Sequence, residues 1–417
     1  MYDIAIIGGG TAGAIAAIQA GRAGASTLLV EKNGILGGTT TIGGVDRPGL
    51  FHAWGRQVIA GIGWDLVRRC VEEAGLTFPD FITPPRSHSH QQVTIDRAVY
   101  AALLDQEVLE AGVELLLHAM LARVEDRGAA KRLTLCTKTG LHDVEARVVI
   151  DATGDANAVA IAGLPVARPE GCQPGTLRYL LSGYDPEALD LEAIEAAYQR
   201  ELAEGRLLPT DTSWDARQGS IRGFLLHRGD NANHIPMGVT ADSAARTQVE
   251  LEARRSFLRV YRFLRAQPGL ERLRVQMPPE CGIRESVTIV GEVTVTAEDY
   301  RSGRRWEDAV CYAFYPIDLH MVEGGLDKRY LEPGTVPTIP RRALLPRGSR
   351  NWLVAGRCLS SDRLANSALR VQASSMAMGQ AAGALAALAA RGGTTVAEVP
   401  LPELYALLRE HGAIVPA

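Results

Sequence analysis

Residues 4–13 read Ile-Ala-Ile-Ile-Gly-Gly-Gly-Thr-Ala-Gly, and this stretch decides the fold. The apolar, β-branched run Ile4–Ile7 is typical of a buried parallel strand, and Ala14–Ala23 has the composition of a helix. The glycines between them fit G-x-G-x-x-G, and a second apolar strand, Thr27–Val30, ends at Glu31. This spacing is that of a βαβ unit whose acidic residue reaches a ribose hydroxyl. The stretch therefore predicts a dinucleotide-binding site; a tight turn without a ligand is the alternative.

Each of the three motif glycines is expected to have its own role. Gly8 makes the turn, Gly10 lets the backbone approach a pyrophosphate, and Gly13 lets the helix pack closely on the strand. The N-terminus of the helix offers free N–H groups and the positive end of its dipole to the phosphates. We therefore expect the phosphates to lie against this turn.

A second glycine-rich stretch, Gly34–Gly44, directly follows the acidic strand. A plain NAD-binding domain is not expected to carry such a segment. It resembles the segment with which FAD proteins of the glutathione-reductase superfamily wrap the pyrophosphate and the ribityl chain. The hydroxyl groups of Thr39–Thr41 suit that role, although a flexible connection would have a similar composition. FAD is therefore the dinucleotide that we expect.

Three further segments carry the same resemblance. A strand at Val148–Ile150 runs into Asp151–Asp155, which is similar to the element at which such chains leave and re-contact the cofactor. A strand at Asn351–Ala355 is followed by Asp362, and an acid here bonds the ribityl or phosphate region in relatives. Ser367–Val371 is predicted to open a long helix, which in this superfamily points its N-terminus at the flavin pyrimidine.

Together these motifs resemble the FAD-dependent oxidoreductase family (FAD-oxidored type) of two-domain flavoproteins. The resemblance covers both ends of the chain and much of its middle. It implies FAD as the cofactor, in contact with Gly8, Gly10, Thr11, Ala12, Gly13, Glu31, Lys32, Gly37, Gly38, Thr39, Thr40, Leu121, Ala152, Thr153, Gly154, Asp155, Gly356, Arg357, Asp362, Leu369, Arg370 and Val371.

The order of strand and helix patterns predicts an α/β fold. A Rossmann-like FAD-binding domain is expected over residues 1–165 and 338–417, and an α+β substrate or cap domain is expected to be inserted over residues 166–337. The elements predicted within the insertion are helices at Leu191–Ala203 and Ala241–Leu264 and strands at Ser220–Leu226, His234–Val239 and Ser286–Val295.

Net charge and cysteine spacing limit the classes of partner that we expect. A formal net charge of −4 gives no electrostatic case for nucleic acid or an anionic membrane, so neither is expected. The six cysteines form no C-x-x-C pair and no metal-ligand spacing, so no metal is expected.

Val371–Ala390 is long enough to span a bilayer, but its Ala, Gly and Ser content favours a buried helix. No signal-peptide pattern is visible, so a cytoplasmic location is expected, and a homo-oligomer is left open.

Three residues are candidates for catalysis. His320 ends the segment Tyr315–His320, which resembles the family pattern Y-P-I-D-x-H, and imidazole titrates near neutral pH. A structural histidine is the alternative. Arg284 is a candidate anchor for a carboxylate or oxyanion, unless it forms a salt bridge with Glu285 or another acid. His52 follows the glycine-rich segment and is a candidate to face the flavin ring, where histidines of some relatives carry covalent flavin.

Other polar residues give weaker signals. His88 and His90 lie in a Pro/Ser-rich loop and are interpreted as exposed. Arg370 is expected near the flavin through its backbone, while its side chain either binds substrate or pairs with an acid.

No second G-x-G-x-x-G follows a strand, so electrons are expected to pass directly between flavin and a small organic substrate. The sequence therefore predicts an FAD-dependent oxidoreductase that transfers hydride as a dehydrogenase or oxidase. Two alternatives stay open at this point. One is a flavin-dependent reductase of an activated double bond, similar to fumarate reductase. The other is a non-catalytic FAD-bound subunit of a complex.

Overall fold

The computed structural model describes residues 1–83, 87–215, 217, 219–231, 233–236, 242–322 and 324–416. Its strands, in chain order, are β1 (Tyr2–Ile7), β2 (Thr27–Glu31), β3 (His52–Ala53), β4 (Arg56–Gln57), β5 (Glu114–Leu117), β6 (Met120–Asp126), β7 (Lys131–Thr137), β8 (Gly140–Asp151), β9 (Val166–Ala167), β10 (Tyr179–Ser182), β11 (Gly229–Asp230), β12 (Arg274–Gln276), β13 (Thr288–Ile289), β14 (Ala309–Tyr312), β15 (Ile317–His320), β16 (Leu326–Arg329), β17 (Thr338–Pro340) and β18 (Trp352–Val354).

The α-helices of the described residues are, in chain order, α1 (Thr11–Arg22), α2 (Ile62–Glu73), α3 (Arg97–Glu110), α4 (Asn157–Ile161), α5 (Leu191–Ala203), α6 (Ile221–Leu226), α7 (Ser243–Arg265), α8 (Ala297–Arg301), α9 (Arg363–Leu369), α10 (Gln372–Gly392) and α11 (Leu401–Glu410).

The main sheet contains the βαβ unit that the sequence predicts. Its parallel strands run in the order β5-β2-β1-β8-β18, and the ribbon β6-β7 pairs antiparallel with the first half of β8. The helix α1 crosses from β1 to β2. In the registers of the central strands Ile7 lies beside both Val30 and Asp151, so β1, β2 and β8 end at one edge of the sheet. The predicted Rossmann-like α/β topology is confirmed.

Helix α10 packs against α1 in the core. Two glycines permit the close approach: a Cβ on Gly379 would lie 2.2 Å from the carbonyl oxygen of Ala12, and one on Gly383 would lie 2.3 Å from that of Ala16. Length and composition alone would let α10 cross a membrane, but 94% of its apolar window is buried inside the protein. The prediction of a buried helix here is confirmed.

Buried apolar side chains form two clusters. The larger cluster surrounds the main sheet and draws on residues 4–159 and 287–408, whereas the smaller one draws on residues 172–283. Partly buried residues up to Val166 still pack against the larger core, so by apolar packing the chain leaves it after residue 166 and rejoins it by residue 287. The domain boundaries at residues 166 and 338 remain a prediction, and residues 287–337 pack with the larger core.

The smaller cluster belongs to the inserted region, which mixes helices with a three-stranded antiparallel sheet of order β11-β10-β12. The two predicted helices are confirmed as α5 and α7 over the described residues, and residue 241 of the second lies outside them. The strand predicted at Ser220–Leu226 is wrong, because this run forms α6; an apolar run this short fits either state. Within the strand predicted at Ser286–Val295, β13 covers Thr288–Ile289. In the strand predicted at His234–Val239, residues 237–239 lie outside the described residues.

Candidate active site

A cavity of about 1630 Å³ lies where β1 and β2 end. The predicted residues that line it are Gly8, Gly10, Thr11, Ala12, Glu31, Lys32, Gly38, Thr39, Leu121, Ala152, Thr153, Gly154, Asp155, Arg284, His320, Gly356, Arg357, Arg370 and Val371. The predicted residues outside its described lining are Gly13, Gly37, Thr40, His52, Asp362 and Leu369. We call residues 8–12, 31–33 and 152–155 the cofactor part of the cavity. We call Arg284, Tyr315, Asp318, His320 and Arg370 the polar cluster.

The glycine turn between β1 and α1 shows the close approaches that the motif predicts. Gly8 has a left-handed φ of 106°, and a Cβ on Gly13 would lie 1.8 Å from the carbonyl oxygen of Gly8. By contrast, the nearest described atom to a Cβ on Gly10 would be the Cα of Gly38, at 3.8 Å. The fold therefore requires glycine at positions 8 and 13, whereas Gly10 leaves open the space in which a ligand must approach the backbone.

Two helices begin at this cavity without a side-chain cap from the described residues. Gly10 is the N-cap of α1, so the N–H groups of the first turn stay available to an anion. Val371 is the N-cap of α10 and also lines the cavity. In α10 the N–H of Ala373 already donates to the carbonyl oxygen of Pro48 at 2.7 Å, so the backbone cradle and the N-terminus of α1 are the parts that suit the pyrophosphate of a dinucleotide. The residues present therefore fit FAD.

Glu31 closes the glycine turn and is 6% exposed. Its carboxylate accepts hydrogen bonds from the backbone N–H groups of Gly9, at 2.7 Å, and Asn33, at 2.8 Å. Because each carboxylate oxygen can accept two hydrogen bonds, Glu31 retains capacity for the ribose hydroxyls that the sequence predicts for it. Its neighbour Lys32 is half exposed, and its Nζ lies 3.7 Å from Oε1 of Glu280.

Asp155 is the ionised acid of the cofactor part. Its Oδ1 accepts hydrogen bonds from Arg357 at 2.6 Å and from the hydroxyl of Ser286 at 2.5 Å, and Arg246 lies 3.0 Å from Oδ2. Burial raises the pKa of Asp155, but the two guanidinium charges outweigh burial and hold this pKa below its usual range. Asp155 thus gives both arginines around the cofactor part a carboxylate partner.

Asp362 was predicted to contact the cofactor, but it does not line the described cavity. It is the N-cap of α9, where Oδ1 accepts from the N–H of Ala365 and Oδ2 accepts from the N–H of Ala297, each at 2.7 Å. Both carboxylate oxygens are therefore already bound to backbone donors. The helix predicted to open at Ser367 is also divided in two, because Val371 has an extended backbone (φ −63°, ψ 152°) between α9 and α10.

The remaining predicted residues outside the cavity support the fold around it. The N–H of Gly37 donates to the carbonyl oxygen of Gly9 at 2.9 Å, and the hydroxyl of Thr40 donates to Gln372 Oε1 at 2.7 Å. Leu369 is fully buried in the larger core. These residues hold the glycine-rich segment and α9 in place, and do not line the described cavity.

His52 is also placed away from the cavity. Its ring stacks on Phe81 with a centroid separation of 3.8 Å and an interplanar angle of 10°, and it meets Trp64 edge-on. Burial lowers the pKa of this imidazole. The expectation that His52 faces the flavin ring is therefore wrong for the described arrangement, because an aromatic cluster holds the ring.

His320 is the middle member of a hydrogen-bonded chain. Its Nδ1 lies 2.7 Å from Nε2 of His234, and its Nε2 lies 3.3 Å from Oδ2 of Asp318. Burial lowers the pKa of His320 to about 3, reinforced by the charge of Arg284 and opposed by Asp318. Neutral His320 therefore donates from Nε2 to Asp318 and accepts at Nδ1 from His234. In this arrangement Nδ1 of His234 is the unprotonated nitrogen of its ring, and it is buried without a hydrogen-bond partner among the described residues.

Asp318 is ionised although it lies inside the cluster. Burial raises its pKa, but His320, Arg370 and Lys328 together hold the pKa well below its usual range. Its buried Oδ1 has no hydrogen-bond partner among the described residues, and Lys328 approaches that atom at 3.9 Å. The sequence contained a signal for Asp318: it stands two residues before His320 on β15, and residues at this spacing share one face of a strand.

Arg284 has no carboxylate partner among the described residues. The Glu285 that was considered for it pairs with Arg363 at 2.8 Å instead. Nη1 of Arg284 donates to the carbonyl oxygen of Pro174 and to the hydroxyl of Thr176, each at 2.8 Å. Its Nη2 donates to the amide oxygen of Asn231 at 3.3 Å. All three of these acceptors are neutral.

Arg370 lies at the break between α9 and α10, half-buried, and close enough to Arg284 for the two charges to interact. Its Nη2 makes two 3.4 Å contacts, with Oε1 of Gln173 and with the carbonyl oxygen of Asp318. Its Nε is buried and has no hydrogen-bond partner among the described residues. Burial lowers the pKa of both arginines, to about 9 for Arg284.

Tyr315 connects the polar cluster to a segment that the sequence did not implicate. Its hydroxyl accepts from Nε2 of Gln92 at 3.0 Å and lies 3.1 Å from Nε2 of His88. Burial lowers the pKa of His88 to about 4, with a further contribution from Lys328, so the neutral ring accepts the Tyr315 proton. The interpretation of His88 as an exposed loop residue is wrong. It is half-buried and lines the cavity, and no local pattern marks it, because its partner lies far along the chain.

Comparison with known proteins identifies the family. A family model described as FAD dependent oxidoreductase matches residues 3–408. Digeranylgeranylglycerophospholipid reductase 2 of Methanopyrus kandleri is 30% identical over 192 residues, which are 45% of this chain and 46% of the relative. Digeranylgeranylglycerophospholipid reductase 1 of the same organism is 28% identical over 227 residues, which are 49% of this chain and 55% of the relative. The chain thus spans about half the length of the curated relatives it matches.

A solved structure of a geranylgeranyl bacteriochlorophyll reductase-like protein from Thermoplasma acidophilum is 13% identical, with a TM-score of 0.43. The superposition covers 98% of this chain and 82% of that one. The match of the family model over nearly the whole chain carries the assignment. The chain belongs to the FAD dependent oxidoreductase family, and FAD is its cofactor.

Proposed function

We propose that this protein transfers hydride between a small organic substrate and FAD, as a dehydrogenase or oxidase. One observation carries the proposal: a single cavity is lined both by the glycine turn that fits a dinucleotide and by a cluster of buried ionisable side chains. Bound FAD supplies the hydride acceptor or donor. Clusters of buried groups with shifted pKa values beside a cofactor site are typical of active sites.

The side chains of the polar cluster divide into two roles in this proposal. The chain His234–His320–Asp318 fixes which imidazole nitrogens carry protons, and the ionised Asp318 offsets part of the cost of adding a proton to His320. Both nitrogens of His320 are engaged, so His320 acts within this chain rather than as an isolated base. Arg284 and Arg370 orient the substrate.

Reduction of an activated double bond is the second candidate. The curated relatives are named reductases, and the two arginines of the polar cluster supply the several cationic groups expected around such a substrate. The relatives' names specify a digeranylgeranylglycerophospholipid. The charged lining of the polar cluster favours a polar reacting group at that place over an unbroken apolar chain.

Anaerobic bleaching of the bound flavin tests the proposal. The purified FAD-loaded protein is mixed without oxygen with a panel of small organic reductants, including alcohols, amines and 2-hydroxy acids, and the flavin absorbance is followed. Bleaching by one of them supports a dehydrogenase or oxidase. Oxidation of chemically prereduced protein by an activated alkene, without bleaching by any reductant, supports the reductase. A protein that does neither is a non-catalytic subunit, and the proposal is then wrong.

We further propose that the protein acts in the cytoplasm on a small molecule, without nucleic acid, a membrane or a metal ion. The small net charge and the burial of α10 support this assignment. A homo-oligomer is compatible with it, and sedimentation of the FAD-loaded protein would measure the oligomeric state.

A further inference from the structure

The cavity arginines that are at least partly buried fall into two classes. In the first class each guanidinium meets a carboxylate: Arg178 lies 2.7 Å from Asp46, and Arg357 lies 2.6 Å from Asp155. In the second class, formed by Arg284 and Arg370, the described hydrogen-bond partners of the guanidinium are neutral oxygens. The chain therefore gives its buried cavity arginines a carboxylate partner in one place and leaves two of them without one in another.

The local charge balance points in the same direction. Asp318 is the ionised acid of the polar cluster, and it faces Arg284, Arg370 and the nearby Lys328. The two histidines of its chain stay neutral, because burial lowers the pKa of each to about 3. Among the described residues, the cluster thus carries an excess of about one positive charge, and the nearby Lys328 adds a second. Buried charge is costly unless a partner of opposite sign offsets it.

We propose that Arg284 and Arg370 bind the carboxylate of an organic-acid substrate, an inference that rests on the function proposed above. The planar guanidinium fork matches a carboxylate in two parallel hydrogen bonds. The buried Nε of Arg370 has no described partner, which leaves a donor for such a ligand. Asp318 and His320 lie beside the same two arginines, so the proton chain would act on a carbon near the bound carboxylate.

Matched acids and amides test this proposal on the FAD-loaded protein. The flavin absorbance is titrated with lactate, succinate and fumarate, and separately with lactamide, succinamide and fumaramide, at constant ionic strength. We expect at least one acid to shift the flavin spectrum and to bind about tenfold or more tightly than its amide. Inorganic phosphate is the third arm, and preferential binding of phosphate over every acid would replace the carboxylate with a phosphate ester.

Variants of the two arginines assign the effect. Arg284→Gln and Arg370→Gln should each weaken acid binding by about 10- to 100-fold and leave amide binding nearly unchanged. Arg284→Lys, which keeps the charge and loses the fork, should lie between parent and Arg284→Gln. Arg68→Gln removes an exposed charge on α2 and controls for general attraction of anions. If Arg284→Gln loses FAD or melts early, Arg284→Lys and Arg370→Gln decide.

The outcomes separate this inference from the proposed function. If a neutral compound bleaches the flavin equally well in parent and Arg284→Gln protein, the carboxylate assignment is wrong while the oxidoreductase stands. If acids bind through both arginines but no compound exchanges electrons with the flavin, the proposed function is wrong while the anion site stands. Acids that bind no better than amides in the parent contradict the inference directly.

Discussion

The cofactor part and the polar cluster line one cavity and are built from different materials. The cofactor part offers mainly backbone: a glycine turn, an uncapped helix N-terminus and Glu31, which accepts hydrogen bonds from neighbouring N–H groups. The polar cluster consists of side chains drawn from Arg284, the segment Tyr315–His320 and Arg370. Backbone suits a ligand that is the same throughout a family, whereas side chains can change with the substrate while the fold is kept.

The two regions also differ in charge. Around the cofactor part, Arg357 and Arg246 share Asp155 as their carboxylate partner. In the polar cluster, Arg284 and Arg370 have neutral described partners. In the first region each of these arginines already has a carboxylate partner, whereas in the second the proposed substrate carboxylate would supply one. Variants should therefore affect folding and FAD binding in the first region, and the reaction in the second.

The largest effect is expected for Gly13→Ala. A Cβ at this position would lie 1.8 Å from the carbonyl oxygen of Gly8, so α1 would have to move away from β1. Overpacking a core usually costs about 1–3 kcal/mol, and this contact is with backbone that cannot rotate away. We expect little soluble folded protein, measured by yield and thermal unfolding. Gly223→Ala, in α6 with no described atom within 4 Å of the new Cβ, should melt like the parent.

Gly10→Val should have a different consequence. The first added carbon has room, since its nearest described neighbour is Gly38 Cα at 3.8 Å, but the branched side chain would extend into the space for the pyrophosphate. We expect a folded protein that has lost FAD, measured by the ratio of flavin to protein absorbance and by chromatography of the released cofactor. A yellow variant with the parental FAD content would show that the phosphates do not lie against Gly10.

A kinetic effect without cofactor loss is expected for His320→Asn in the polar cluster. The substitution breaks the chain from His234 to Asp318, while the glycine turn is untouched. Flavin reduction by substrate should slow by about 10²–10⁴-fold, as for a lost general base. Rapid anaerobic mixing measures this step. Reduction at the parental rate would clear His320 and shift the role to Tyr315.

A further effect is expected on the stability of the protein in acid. The folded-state pKa values are about 3 for His320 and His234 and about 4 for His88, below the ordinary value of 6.5. Between pH 6.5 and about 3 the unfolded chain therefore binds protons that the folded chain excludes, so the free energy of unfolding falls as the pH is lowered. Urea unfolding from pH 7 to pH 4 measures the slope. His320→Asn should make it shallower, with the exposed His142→Asn as the control.

The same contrast explains what the sequence could predict. The β1–α1–β2 unit and Glu31 were predictable, because their signals lie within about thirty residues and each glycine has a local geometric reason. The pairing of Tyr315 with His88, separated by 227 positions, has no local signal. The break before α10 was also missed, because Val371 continues an apolar pattern while its backbone turns extended.

The partners of Arg284 show the same limit. Its neighbour in sequence, Glu285, was the natural partner to consider, but this carboxylate binds Arg363 and the N–H of Gln173 instead. Only the fold shows that Arg284 has no carboxylate partner among the described residues. A site made of backbone can thus be read from a motif, whereas a site made of distant side chains needs the tertiary structure.

One measurement tests most directly whether the two regions serve one reaction. FAD-loaded parent, His320→Asn and Arg284→Gln proteins, matched in flavin content, are mixed anaerobically with the organic acid that binds the parent most tightly, and the flavin absorbance is followed. We predict that the parent exchanges electrons with the acid in a single turnover and that both variants do so at least about tenfold more slowly. Equal rates in all three proteins, or no exchange in the parent, would contradict the account.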